Sequence, residues 1–179
     1  VTRIRRSRCG FAAEPPGRPQ PPEQVVLDTV EQTNAYICDT HGEAGMFATL
    51  FMGVLDPEAG TITYVNGGHE PPAVIRAGSP PAPLKATGLA VGAMPDSPYR
   101  AASVALQAGD CIVFYTDGLT DAEGESGGRF GKERLFGLVA AGRTTARGLV
   151  NEVVAALKTH LGKASPADDV TLLIVRRKP

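Results

Sequence analysis

The run Cys111-Ile112-Val113-Phe114-Tyr115, followed by Thr116-Asp117-Gly118-Leu119-Thr120-Asp121, constrains this chain more than any other stretch. Five consecutive apolar or aromatic residues are too few for a helix and rich in strand formers, so they read as a strand buried on both faces. A carboxylate stands at the strand end, and glycine lets the backbone turn sharply behind it. Taken alone, an Asp-Gly pair reads as an ordinary capped turn. A second acidic pair, Asp168-Asp169, stands just before Val170-Thr171-Leu172-Leu173-Ile174-Val175, another strand of continuous apolar character. Two strands with carboxylates at their ends can set those carboxylates side by side. Like charges so placed repel unless a cation lies between them, and hard oxygen ligands suit magnesium or manganese.

The 179 residues predict one domain, long enough to bury a real core, with an ordinary charged fraction of 21%. Twenty-one glycines and fifteen prolines predict many turns, and so strands more than long helices. The net charge of −1 conceals an asymmetry. Residues 1–23 hold five arginines, two glutamates and five prolines, while the remainder holds 13 basic and 17 acidic residues, a net of −4. That mildly acidic remainder predicts no nucleic-acid-binding surface. Residues 1–23 lack periodic apolar positions and are expected to be a disordered tail or linker.

Three cysteines, Cys9, Cys38 and Cys111, show no CxxC or Cys/His spacing that suggests zinc or a disulfide framework. Cys111 reads as a small core residue. No apolar run approaches bilayer length and no hydrophobic signal core opens the sequence, which predicts a cytoplasmic chain with no membrane partner.

In chain order, the apolar period predicts an amphipathic helix over 24–38. Met46 to Leu55 reads as a long strand, followed by a turn and a second strand over Thr61–Val65, a hairpin signature. Asn66-Gly67-Gly68-His69 reads as a tight turn, Ala73–Arg76 as a third strand and Pro80–Pro83 as an exposed loop. Residues 84–94 are predicted irregular with short strands, and Tyr99–Leu106 alternates loosely. A polar loop follows the Asp-Gly turn, then a short helix over 132–141 and a clear one over 145–161, capped by Thr144 or Thr145. Consecutive strands joined by short turns, with helices grouped on them, predict an α+β layered domain with an antiparallel sheet.

At this point the residues resemble a known family. GMFATLFMGVLDPEAGTITYVNGGHEPPAVI, LAVGAMPDSPYR, LQAGDCIVFYTDGLTDAEGESGGRFGKERL and the closing ADDVTLLIVRR look like the later part of the metal-dependent protein serine/threonine phosphatases, in their bacterial SpoIIE/RsbU branch. The resemblance runs from Gln24 to Arg177. It implies an antiparallel β-sandwich flanked by helices, with a dimetal centre of Mn2+ or Mg2+ between the sheets. The family's later metal-binding aspartates match Asp117 with Gly118, and Asp168 with Asp169; Asp121 and His69 are secondary candidates. A bridging hydroxide would attack phosphorus in line, and the substrate would be phosphoserine or phosphothreonine on a regulatory partner protein.

The family's earlier Gly-Asp-x-x-Gly-x-Gly motif, whose aspartate bridges both metals, has no counterpart here. The expectation is a sandwich lacking its first strands and helix, holding at most one weakly bound cation. Its exposed sheet edge would favour self-association. Three readings follow: a phosphoprotein phosphatase, a non-catalytic interaction module that keeps the surface but not the metal centre, or a gene remnant whose true product carries the missing half. For His69 a turn role bonded to backbone stands against a ligand or general-acid role; for Asp121 and Asp169, caps or solvated turn positions stand against metal ligation.

Overall fold

Alternation along one strand decides how the layers stack. The computed structural model describes residues 20–125, 127–142 and 145–178. In the strand Cys111–Tyr115, Ile112 and Phe114 point one way, Cys111, Val113 and Tyr115 the other, as the two-residue period of a strand requires. Ile112 and Phe114 meet Ile62, Tyr64 and Val74 in a core between two sheets. Cys111, Val113 and Tyr115 face a second core that carries Leu135, Val139, Leu149, Val153 and Leu157 from two helices. The strand is thus buried on both faces, as its continuous apolar run predicts.

The elements are α1 (Pro22–His41), β1 (Leu50–Asp56), β2 (Thr61–Gly67), β3 (Ala73–Ile75), β4 (Ala82–Pro83), β5 (Ala102–Ala105), β6 (Cys111–Tyr115), the short α2 (Asp117–Thr120), α3 (Lys132–Ala141), α4 (Ala146–Leu161) and β7 (Leu172–Arg176). The order β1-β2-β5 makes one sheet and β4-β3-β6-β7 the other. Every pairing is antiparallel. Helix α1 covers the outer face of the first sheet through Val26 and Val30 against Val65. Helices α3 and α4 cover the outer face of the second. The result is an α+β antiparallel sandwich flanked by helices, as expected.

Several boundaries differ from the sequence reading. Helix α1 starts at Pro22, whose fixed φ suits the first helical turn, and runs on to His41. The run from Met46 becomes a strand only at Leu50, and Met46 and Phe47 lie exposed. β1 is an edge strand among the described strands, bonded to β2. Its Phe51 enters the sandwich, stacked on Tyr64 at 5.0 Å and edge-on to Phe114 at 5.1 Å. Asn66 and Gly67 end β2 rather than forming a turn, because they pair with Phe51 and Leu50. Ala82–Pro83 is not a free loop; it pairs with β3 at the sheet edge, where proline's missing N–H costs nothing.

Thr145 caps α4, its hydroxyl accepting from Gly148 N at 3.2 Å. The alternative cap, Thr144, lies outside the described residues, as do residues 1–19 of the expected tail; Pro22 and Glu23 of that segment are helical. Among the described residues no helix is long and apolar enough to cross a membrane.

Candidate metal centre

Register brings the two acidic segments together. β6 and β7 pair with Tyr115 opposite Leu172. The residues just beyond both strands, Thr116–Gly118 and Asp168–Thr171, therefore meet at one end of the second sheet. Thr116 tethers them. Its N–H donates to Thr171 O at 3.2 Å, its hydroxyl donates to Asp169 O at 2.9 Å, and the Thr116 hydroxyl oxygen itself accepts from Thr171 N at 2.9 Å. Gly118 is buried against this segment, and a Cβ there would stand 2.4 Å from Asp169 O and 3.1 Å from Asp168 O. Glycine at 118 is thus required by close approach of backbone to backbone.

Asp117 opens the one-turn helix α2. Its Oδ1 accepts from Gly118 N at 2.9 Å, and its carbonyl accepts from Asp121 N at 2.7 Å. Asp168 bends back in the same way, its Oδ1 accepting from Asp169 N at 2.7 Å. Asp117, Asp168 and Asp169 are exposed, so their carboxylates meet solvent on an open surface. Cavities of about 310 and 430 Å³ at this sheet lie at its opposite end, beside Arg176.

The secondary candidates are engaged elsewhere. Asp121 pairs with Arg129 at 3.1 Å between two exposed side chains, a pair of little energetic consequence. His69 donates its backbone N–H to Asn66 Oδ1 at 2.8 Å, and its ring nitrogen Nδ1 lies 3.3 Å from Thr49 Oγ1. The histidine thus has the turn-type backbone bond, with its ring directed at Thr49.

Sequence reasoning missed three contributors. Thr116 has no signal of its own in a strand-ending Thr-Asp-Gly. Asn66 is fully buried, donating through Nδ2 to Leu84 O at 3.1 Å while Oδ1 accepts from His69 N, so it fixes the path of 66–70. Glu70, on that path, accepts from Lys132 Nζ at 2.5 Å and from Tyr115 Oη at 3.5 Å. Since β3 pairs with β6, Ala73 opposite Val113, Glu70 is carried to the same end of the sheet as Asp117. Burial, and after it the nearby Glu70 carboxylate, push the Tyr115 phenol well above its ordinary value. On the other flank of the turn, Gly131 N donates to Thr120 O at 2.9 Å, so the start of α3 is bonded to α2.

Carboxylate oxygens are the right donors for a hard divalent cation. Their number is short: among the described residues no group of three or more His, Cys, Asp or Glu side chains is placed to hold a metal ion. Asp117 and the Asp168–Asp169 segment stand at one sheet end as two carboxylate-bearing segments.

Comparison with known proteins agrees with this architecture. Residues 18–178 match the family model described as Stage II sporulation protein E (SpoIIE). The chain is 36% identical over 151 residues to Protein IcfG of Synechocystis sp., covering 84% of this chain and 24% of that protein. It is 28% identical over 144 residues to phosphoserine phosphatase RsbU of Bacillus subtilis, covering 79% of this chain and 42% of that protein. The chain thus spans less than half the length of these two relatives. In fold it is similar to the SiaA-PP2C domain of Pseudomonas aeruginosa, with a TM-score of 0.70 at 20% identity, over 86% of this chain and 65% of that one.

Proposed function

The chain belongs to the SpoIIE family, and on that premise we propose that it contributes the Asp117 and Asp168–Asp169 side of a metal-dependent protein serine/threonine phosphatase site. The substrate class is phosphoserine or phosphothreonine on a regulatory partner protein; RsbU, one of its relatives, is a phosphoserine phosphatase. One observation carries this reading. Two acidic segments about fifty residues apart in sequence are locked together by the Thr116 bonds and the Gly118 contact at the same sheet end. Nothing in packing alone asks for three exposed carboxylates at that junction.

Asp117 and Asp168 would hold one Mn2+ or Mg2+, with Gly118 keeping their backbones in contact and Asp169 beside them. A bound divalent cation supplies charge neutralisation at phosphoryl oxygens and a more acidic water. What the chain itself does is orient the carboxylates; the pre-bonded Asp117 and Asp168 turns reduce the ordering that binding would need.

A second reading, a non-catalytic interaction module, is favoured by the missing third ligand among the described residues. Phosphatase assay of the 179-residue chain on a phosphoserine peptide, with and without Mn2+, tests both. It should be run alone and with a polypeptide supplying Gly-Asp-x-x-Gly-x-Gly. Mn2+-dependent turnover that appears or rises with that segment supports the phosphatase; binding of the phosphoprotein without turnover in any combination supports the module.

A further inference from the structure

Residues 20–75 contain no lysine or arginine, against eight aspartates and glutamates, whereas residues 1–19 carry five arginines and one glutamate. The cation-free stretch includes α1, and at the C-terminal end of that helix an apolar strip stands open. Every residue from Gly42 to Thr49 is exposed; Met46 is 55% and Phe47 65% accessible, and Met94, on the segment bonded to α1 through Asn34, is 52% accessible.

Backbone bonds hold the segments that carry Met46, Phe47 and Met94 together at the end of α1. Ala48 and Val91 exchange two backbone bonds of 2.9 Å, and Met46 N donates to His41 O at 3.4 Å. Asn34 joins the third piece, donating to Met94 O at 3.1 Å and accepting from Gly92 N at 2.8 Å. The Tyr36 and His41 rings stand edge to face at 6.1 Å. On the flank of α1, Glu31 and Asp96 line a cavity of about 520 Å³ with Gln32, Ser97 and Tyr99, and no cation lines it.

We propose that the arginine-rich segment 1–19 of this chain docks back along α1, arginines on the acidic flank and apolar side chains on the Met46–Phe47 strip. Charge complementarity selects this occupant: the segment carries Arg3, Arg5, Arg6 and Arg8, whereas Glu31 and Asp96 line the cavity on the flank of α1 and Asp39 and Glu43 are exposed near the end of the helix. The reach is sufficient. Tyr36 lies about 21 Å along the helix from Pro22 at 1.5 Å per residue. The eleven residues from Phe11 to Pro22 span up to about 36 Å when extended. Phe11 therefore reaches the strip with slack, and the arginines before it reach the helix flank. The segment's own composition gives it no core to fold around, so a complementary surface is what orders it.

Hydrogen–deuterium exchange on the full 179-residue chain tests the docking, comparing it with the R3E/R5E/R6E/R8E variant at low salt. Amides of Gly42–Thr49 are expected to exchange about tenfold more slowly in the natural chain, and the difference to vanish in about 0.5 M NaCl, where the Debye length is short. Phe47→Asp, at an exposed position, should speed exchange within residues 1–19 while leaving the β6 amides unchanged. Equal rates in the natural and charge-reversed chains would overturn the proposal. So would protection that rises with protein concentration, which would place a second copy on the strip, or protection indifferent to salt. If the charge-reversed chain also loses β6 protection, Phe47→Asp alone decides, with unchanged exchange in 1–19 counting against docking.

Discussion

Gly118 and Asp169 touch through their backbones: a Cβ on residue 118 would lie 2.4 Å from the Asp169 carbonyl oxygen. With the Thr116 hydroxyl donating to that same oxygen at 2.9 Å, this contact joins the end of β6 to the approach to β7. The backbones on which Asp117 and Asp168 stand are held together by it.

Gly118→Ala should therefore separate the two acidic segments. Backbone cannot yield as a flexible side chain would, so the cost is that of overpacking, about 1–3 kcal/mol. Urea unfolding measures it; a midpoint equal to that of the natural chain would show that the 168–171 segment gives way freely.

Asp117→Asn should abolish what Mn2+ binding the chain has while leaving its melting temperature nearly unchanged, because the residue is exposed. Asp168→Asn should do the same. Titration calorimetry is expected to find one weak Mn2+ site in the natural chain, since a second cation needs a bridging ligand. Two tight sites would contradict the two-segment account.

Asn66→Ala should destabilise far more than its size suggests. It strands the buried Leu84 carbonyl and the half-buried His69 N–H, at roughly 2–4 kcal/mol for the two lost partners. The same variant should release His69 and Glu70 from their path, seen as faster amide exchange over 67–70 and not in α4.

Stability should fall on the alkaline side. Burial, then Glu70, raises the Tyr115 phenol in the fold, and burial raises Tyr64 and Tyr99 in the same direction. The fold favours the neutral phenol. That contribution is present in full below the unfolded-state value of about 10 and is lost as pH climbs through the raised folded-state value. Urea midpoints at neutral pH and at about pH 10.5 should differ, and Tyr115→Phe, with no proton to lose, should narrow the gap. An unchanged gap in Tyr115→Phe would assign the alkaline loss to other groups.

Local pattern settled a good deal of this protein. The Cys111–Tyr115 run could only be a strand covered on both faces, since five apolar residues in a row leave no polar face for solvent. The stripe Leu149, Val153, Leu157 and Leu161 required a helix with one buried side, and that is how α4 lies. Asp117 and Asp168–Asp169 stood out because each acidic group sits at the end of such a strand.

Tertiary structure decided what those pieces mean together. Nothing local sets Tyr115 opposite Leu172; that register follows from which faces of two distant strands must be buried, and it alone brings Gly118 onto the Asp169 carbonyl. Glu70, Asn66 and Thr116 carry no period and no motif, because their partners lie 62, 18 and 53 residues away. The Met46–Phe47 strip is the converse case. Its apolar residues promised burial, and the order β1-β2-β5 left them at an edge with solvent on them. A sequence states which residues seek burial; only the folded chain determines which of them find cover, because cover is supplied by elements remote in sequence.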